Sequence, residues 1–191
     1  MSKPPKRRLL RVVEVRSTPA DRARGRLVAG AMRLPCALGP AGVVTHKREG
    51  DGGTPRGALA IRRLWRRPDR GPRPTTALRV DVLRRDDGWC DDVRLPRYNR
   101  LVKLPFLGSH ERLWRDDGLY DLVAELGWND RPPRRGRGSA IFLHVARPGL
   151  TPTEGCVALG LGGLRRLLAR IGPRTVMRVG QTTSRPRRRA R

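Results

Sequence analysis

Ala140-Ile141-Phe142-Leu143-His144-Val145-Ala146, then Arg147-Pro148-Gly149-Leu150-Thr151-Pro152, then Thr153-Glu154-Gly155-Cys156-Val157-Ala158-Leu159, is the stretch on which the fold turns. The first piece is short, apolar and rich in β-branched and aromatic residues. Gly138 and Pro148 bound it, so it reads as a strand. The second piece is a Pro/Gly loop. The third sets a cysteine directly after a glycine and runs on into apolar residues. A strand therefore delivers a histidine, and the loop after it returns a cysteine.

Downstream, Leu161, Leu164, Leu167, Leu168 and Ile171 recur at helical spacing, with Arg165, Arg166 and Arg170 between them. That pattern predicts an amphipathic helix over 161–171, stopped by Gly172-Pro173. Thr175–Val179 reads as a closing strand. Upstream, strands are expected at Leu9–Val15, Arg26–Ala29, Met32–Leu38, Gly57–Trp65 and Leu78–Leu83, with a further apolar stretch from Val43. Gly39–Gly42 is a turn and Gly50–Pro55 a glycine-rich loop. Trp89–Pro105 reads as irregular, and Leu113–Leu126 is open between a helix turn and strands. The Asp86-Asp87 and Asp91-Asp92 pairs read as solvated turns. Many short strands with one late helix imply a mainly β domain, a sandwich or a barrel.

The chain has 191 residues and a formal charge of +26. Its length suits one domain, expected over 9–181, with basic tails at 1–8 and 182–191. Hydrophobic residues make up 37% of it, which argues against a wholly disordered basic protein. No apolar run is long enough for a membrane span. Arg11 and Glu14 interrupt the apolar residues after the basic N-terminus, so no signal peptide is recognised. Arginine supplies 39 of the 43 cations, a balance that attracts polyanions.

Cys36, Cys90 and Cys156 make an odd count with no C-x-x-C, which argues against zinc and leaves at least one free thiol. Cys36 and Cys90 read as passive, a disulfide between them being the alternative. His46 and His110 read as loop or surface residues. No metal is assigned and no cofactor is expected. The pair that carries chemistry is Cys156 with His144. A thiol becomes a strong nucleophile when an imidazole takes its proton. Gly155 lets backbone approach a reacting carbonyl without a Cβ in the way, and N–H groups beside it form an oxyanion site. Thr153 shapes the turn.

On His144 and Thr153-x-Gly155-Cys156, together with Lys47-x-Glu49-Gly50-Asp51-x-x-Thr54-Pro55-x-Gly57, the chain resembles the L,D-transpeptidase catalytic domain (YkuD-type) family. Asp87-Gly88-Trp89-Cys90-Asp91-Asp92, Tyr98-Asn99 and Ser109-His110-Glu111 are similar to a branch of small, stand-alone members. The resemblance implies a β-sandwich with a small helical addition. It implies a cysteine acyltransferase of cell-wall assembly. Cys156 attacks a peptidoglycan stem tetrapeptide, D-alanine leaves and a thioester forms. An amine (diamino acid, D-amino acid or protein) then gives a 3→3 cross-link, D-amino-acid exchange or protein attachment. His144 is the general base and then the acid, held through a backbone carbonyl. Thr54, Pro55, Gly57 and Arg147 are the implied substrate-binding residues, and the periplasm or cell envelope the implied location. Two positions depart from the family pattern: Glu154 stands where many members have His, and Ala158 where many have Arg or Asn.

Two other readings stay open. Water as acceptor makes the protein a cysteine peptidase or carboxypeptidase. The arginines fit a non-catalytic nucleic-acid-binding domain, against which stand the 4% aromatic content and the lack of a helix-turn-helix, zinc-finger or aromatic RNA-binding pattern.

Overall fold

A computed structural model describes residues 8–180. The expected tails therefore lie outside the described residues, Arg8 apart. In chain order the strands are β1 (Val12–Ser17), β2 (Arg24–Ala29), β3 (Met32–Ala37), β4 (Val43–Val44), β5 (Thr54–Pro55), β6 (Gly57–Arg66), β7 (Val80–Val82), β8 (Asp87–Cys90), β9 (Arg100–Lys103), β10 (His110–Arg112), β11 (Leu122–Leu126), β12 (Phe142–Val145), β13 (Val157–Leu159) and β14 (Val176–Val179). Helix α1 (Leu161–Leu168) lies between β13 and β14.

The fold is mainly β with one short late helix, but it is a closed barrel rather than a sandwich. Eight strands run in the order β11-β12-β13-β3-β2-β1-β14-β6, and β6 pairs with β11 to close the ring. The pairs β12–β13 and β1–β14 are parallel and the rest of the ring is antiparallel. The physical reason for closure is the length of β6. Its first residues, Gly57–Ala60, bond to β14, and residues from Ile61 to Arg66 bond to β11. The edge that a sandwich leaves open is thereby used up. A register shift between Ala124 and Leu126 bends β11 at the seam.

Alternation along the strands divides two cores. Inside the barrel lie Val13, Val15, Leu27, Ile61, Leu143, Val157 and Leu159. Outside it, Phe142, Val123 and Cys156 face a second cluster with Trp65, Trp89 and Tyr120. Strands β11 and β13 are buried at every residue because both faces are covered, and the one charged residue in them, Glu125 of β11, is met by Arg63 at 3.2 Å.

A small sheet, β10-β8-β9, covers the outer cluster. It was missed in the sequence because its strands are three or four residues long and carry charge. Trp89 on β8 packs edge-on against Phe142, 5.2 Å between ring centres. Of the aspartates read as solvated turns, Asp86 does lie in an exposed turn, but the reading of Asp87 and Asp92 is corrected here. Asp87 and Asp92 are buried and paired with Lys103 and Arg94, each at 2.7 Å. Of the ambiguous segment Leu113–Leu126, Leu122–Leu126 forms β11 and residues 113–121 are turns and bends.

Helix α1 seals the barrel with Leu164, Leu167 and Leu168, and Ile171 follows it into the same core. The helix is shorter than the apolar periodicity implies. Leu161 lies 42% exposed at its start, whereas Leu167 is fully buried. Leu167→Ala is therefore expected to lower unfolding stability by about 2–5 kcal/mol. Leu161→Ala is expected to change it by less than about 0.5 kcal/mol. Urea unfolding midpoints of the two variants check the contrast.

Candidate active site

Strands β12 and β13 are adjacent and parallel, with Leu143 opposite Val157, His144 opposite Ala158 and Val145 opposite Leu159. Parallel neighbours need a crossover, and the Pro/Gly loop supplies it. The loop contains a short 3-10 turn at Pro148–Leu150, where Gly149 (φ 72°) and Leu150 (φ 54°) are left-handed. Side chains in register project to one face. Phe142, His144, Cys156 and Ala158 therefore share the outer face of this pair. His144 and Cys156 sit one diagonal step apart and both line a cleft of about 400 Å³.

Both groups are buried, Cys156 at 6% exposure and His144 at 5%. The thiol donates to the Ala140 carbonyl at 3.2 Å, and Sγ accepts the Phe142 N–H at 3.3 Å. Among the described residues no hydrogen bond joins Sγ to the imidazole. His144 Nδ1 lies 2.8 Å from the Val145 carbonyl. A carbonyl oxygen only accepts, so Nδ1 carries the proton and Nε2 is the basic nitrogen. The Tyr120 ring stands edge-on to the imidazole, 5.3 Å between centres, and fixes its plane.

Burial pushes the Cys156 thiol up to about 12, and the Glu111 carboxylate adds to the rise. Burial also holds His144 down to about 4, with Arg115 and Arg147 opposing its positive form. The resting pair is thus a neutral thiol beside a neutral imidazole.

Thr153 holds the turn. Its hydroxyl donates to the Cys156 carbonyl at 2.7 Å and accepts the Gly155 N–H at 3.2 Å, while its own N–H reaches Leu38 O. In this state the Gly155 N–H is committed to Thr153. The absent side chain at Gly155 also serves a different neighbour from the one expected. With φ at 127°, a Cβ there would meet the Gly53 carbonyl at 2.6 Å. The open space admits the backbone of the glycine-rich loop, behind the cysteine.

Of the residues expected to bind substrate, Arg147 lines the cleft, whereas Thr54, Pro55 and Gly57 do not. Thr54 is fully buried and its hydroxyl accepts the Gly39 N–H at 3.0 Å. It ties two turns together beneath the cysteine, which corrects its assignment. The preceding part of the same motif reaches the cleft instead, through Lys47 and Glu49. Lys47 is buried and paired to Asp51 at 2.5 Å, and its charge favours the thiolate. Both departures from the family pattern also line the cleft: Glu154 at its exposed edge, and Ala158 beside His144.

Sequence reasoning gave no role to Asp91, Glu111, Arg115 or Tyr120, which form the far wall. They come from separate segments that only the folded chain brings together. Asn99 (φ 56°) connects that wall to the thiol's partners. Its side chain accepts from Trp89 Nε1 and from the Ala140 N–H, and it donates to the carbonyls of Trp128 and Asn129. Cys36, Cys90 and Cys156 are all free thiols. Among the described residues no three His, Cys, Asp or Glu converge as a metal site.

Gly155→Ala is expected to destabilise the fold by at least about 1 kcal/mol, because the left-handed backbone and the Gly53 carbonyl both oppose a Cβ. Thermal unfolding checks this. An unchanged midpoint would remove the packing role assigned to this glycine.

The chain was compared with known proteins. No curated protein matches it. The family model of the L,D-transpeptidase catalytic domain (YkuD) matches residues 13–179, from β1 through the last residue of β14. The match takes in the whole barrel, the covering sheet and the histidine and cysteine strands. The chain belongs to the L,D-transpeptidase catalytic domain family.

Proposed function

We propose that residues 9–181 form one catalytic domain, a cysteine acyltransferase acting on peptidoglycan stem tetrapeptides through a thioester on Cys156. Family membership implies L,D-transpeptidase-type chemistry on peptidoglycan. The observation that carries the finer reading is the placement of His144 and Cys156 on one face of two adjacent parallel strands, in one cleft, with imidazole Nδ1 locked to a carbonyl.

The stem peptide enters the cleft with the carbonyl before its terminal D-alanine beside Sγ. The thiol proton moves to His144 Nε2 as sulfur bonds to the carbonyl carbon. Because a neutral pair is favoured at rest, proton transfer is coupled to attack rather than completed before it. The tetrahedral intermediate collapses, the C–N bond breaks, and the departing D-alanine amine takes the proton from Nε2. An amine acceptor then attacks the thioester, giving a 3→3 cross-link, D-amino-acid exchange or protein attachment. Water in its place gives hydrolysis. Substrate of this kind places the protein in the periplasm or cell envelope. No helix among the described residues is long and apolar enough to cross a membrane.

The deciding experiment incubates wild type and Cys156→Ala with a disaccharide tetrapeptide and a free D-amino acid, followed by intact-mass and product analysis. A covalent adduct and terminal exchange are expected in the wild type, and neither in the variant. Turnover by Cys156→Ala would sink the proposal, and hydrolysis without exchange would make the protein a peptidase.

The pH profile is a second test. Held down to about 4, His144 stays an unprotonated base as pH falls through the ordinary histidine value near 6.5. Expected kcat/KM is therefore level across that region and drops only as the pH approaches the lowered value. An acid limb at the ordinary value would contradict the neutral-pair description.

A further inference from the structure

The cleft wall facing the thiol is built by neither β12 nor β13. It comes from β10 and from the ends of two other segments: Glu111 on β10, Tyr120 just before β11, and Asp91 just after β8. Tyr120 is buried between the reacting pair and this wall. Its ring contacts His144 and Phe142, and its hydroxyl donates to Glu111 Oε1 at 2.5 Å. One carboxylate oxygen is thus fixed from behind, while the Glu111 side chain stays 28% exposed and lines the cleft.

The cations nearby are largely engaged elsewhere. Arg115 lies 3.7 Å from Glu111 but bonds Asp117 at 2.6 Å. The Lys47 ammonium is held by Asp51 and the Arg48 carbonyl. Beside Glu111, one oxygen of Asp91 is buried with no hydrogen-bond partner among the described residues. Two carboxyl groups therefore line this wall of the cleft, one of them incompletely satisfied. Burial, with Asp91 beside it, raises the Glu111 carboxyl above its ordinary value, against the Tyr120 hydroxyl and Arg115, and its charged form disfavours the thiolate. A negative charge here therefore hinders the first half of the reaction. It suits the second half if the group that arrives is a cation.

We infer that Glu111, oriented by Tyr120 and backed by Asp91, is the specificity-determining residue for the acyl acceptor and binds the ammonium group of an incoming primary amine. This rests on the acyl-transfer reading above. The ammonium docks on the free face of the Glu111 carboxylate and gives up one proton to solvent. The resulting amine attacks the thioester carbonyl. The C–N bond forms and the C–S bond breaks. A second N–H proton passes through His144 Nε2 to Sγ, which restores the thiol. Water carries no charge for Glu111 to hold, so the carboxylate biases the thioester toward amide over hydrolysis.

The test measures how the thioester partitions near neutral pH. Wild type, Glu111→Gln and Tyr120→Phe receive the tetrapeptide with either a D-amino acid, whose amine is protonated, or hydroxylamine, which is neutral. The ratio of acceptor product to hydrolysis product is read by mass spectrometry. In Glu111→Gln the ratio for the D-amino acid is expected to fall at least about tenfold, the size of one lost charge-assisted contact. The ratio for hydroxylamine stays about the same. Tyr120→Phe keeps the ring against His144 and releases only the carboxylate, so the shift goes the same way and is smaller. Ratios that stay constant, or that fall together for both acceptors, overturn the inference, the latter marking a merely structural role. A wild type that forms no thioester overturns the acyl-transfer reading itself. A thioester whose partition ignores Glu111 overturns this inference alone.

Discussion

The parallel pairing of β12 with β13 is the constraint from which the site follows. Its three register pairs put Leu143, Val157 and Leu159 into the barrel and leave Phe142, His144, Cys156 and Ala158 on the outside. A slip of one residue would turn the histidine into an aliphatic core, where no partner for an imidazole exists. The barrel interior thus fixes the chemistry by fixing the register. The loop between the strands absorbs the left-handed backbone at Gly149 and Leu150. The turn before Cys156 is held by Thr153 and by the close approach of Gly155 to Gly53.

The outer face is protected without being sealed. The β10-β8-β9 sheet lays Trp89 against Phe142, and Asn99 ties that sheet to Ala140, whose carbonyl accepts the thiol hydrogen bond. Burial keeps the Cys156 thiol and the His144 imidazole neutral, so the site has no preformed ion pair to maintain. Charge is placed around it instead: Lys47 on one side, Glu111 and Glu154 on others, Arg115 and Arg147 near the imidazole. Such an arrangement favours proton movement only when a substrate changes the local field.

Several elements were legible because one physical signal dominated each. Strand β12 stands out as an apolar run between Gly138 and Pro148, and α1 by its leucine spacing. The Arg26–Ala29 and Met32–Leu38 strands match β2 and β3 within two residues at each end. The covering sheet was illegible for the opposite reason. Asp87 and Lys103 sit in its strands because each charge is met by the other, sixteen residues away in sequence. Thr54 was misread in a related way. Its motif marks a turn near the site, and only packing shows that the hydroxyl points to Gly39 and away from the cleft.

By itself the sequence determined a mainly β domain with a late helix and marked His144 and Cys156 as the candidate pair. Those signals are local: side-chain shape, period along the chain, and residue types whose chemistry is unusual together. The tertiary structure alone decided that the sheet closes into a barrel, that Nε2 is the basic nitrogen, that Gly155 makes room for Gly53, and that Asp91, Glu111 and Tyr120 form the wall opposite the thiol. Each depends on contacts between segments far apart in the chain. Closure depends on which edges β6 reaches, and the wall depends on how the small sheet seats against Phe142. No local pattern encodes either, because the energy resides in surfaces that meet only after folding.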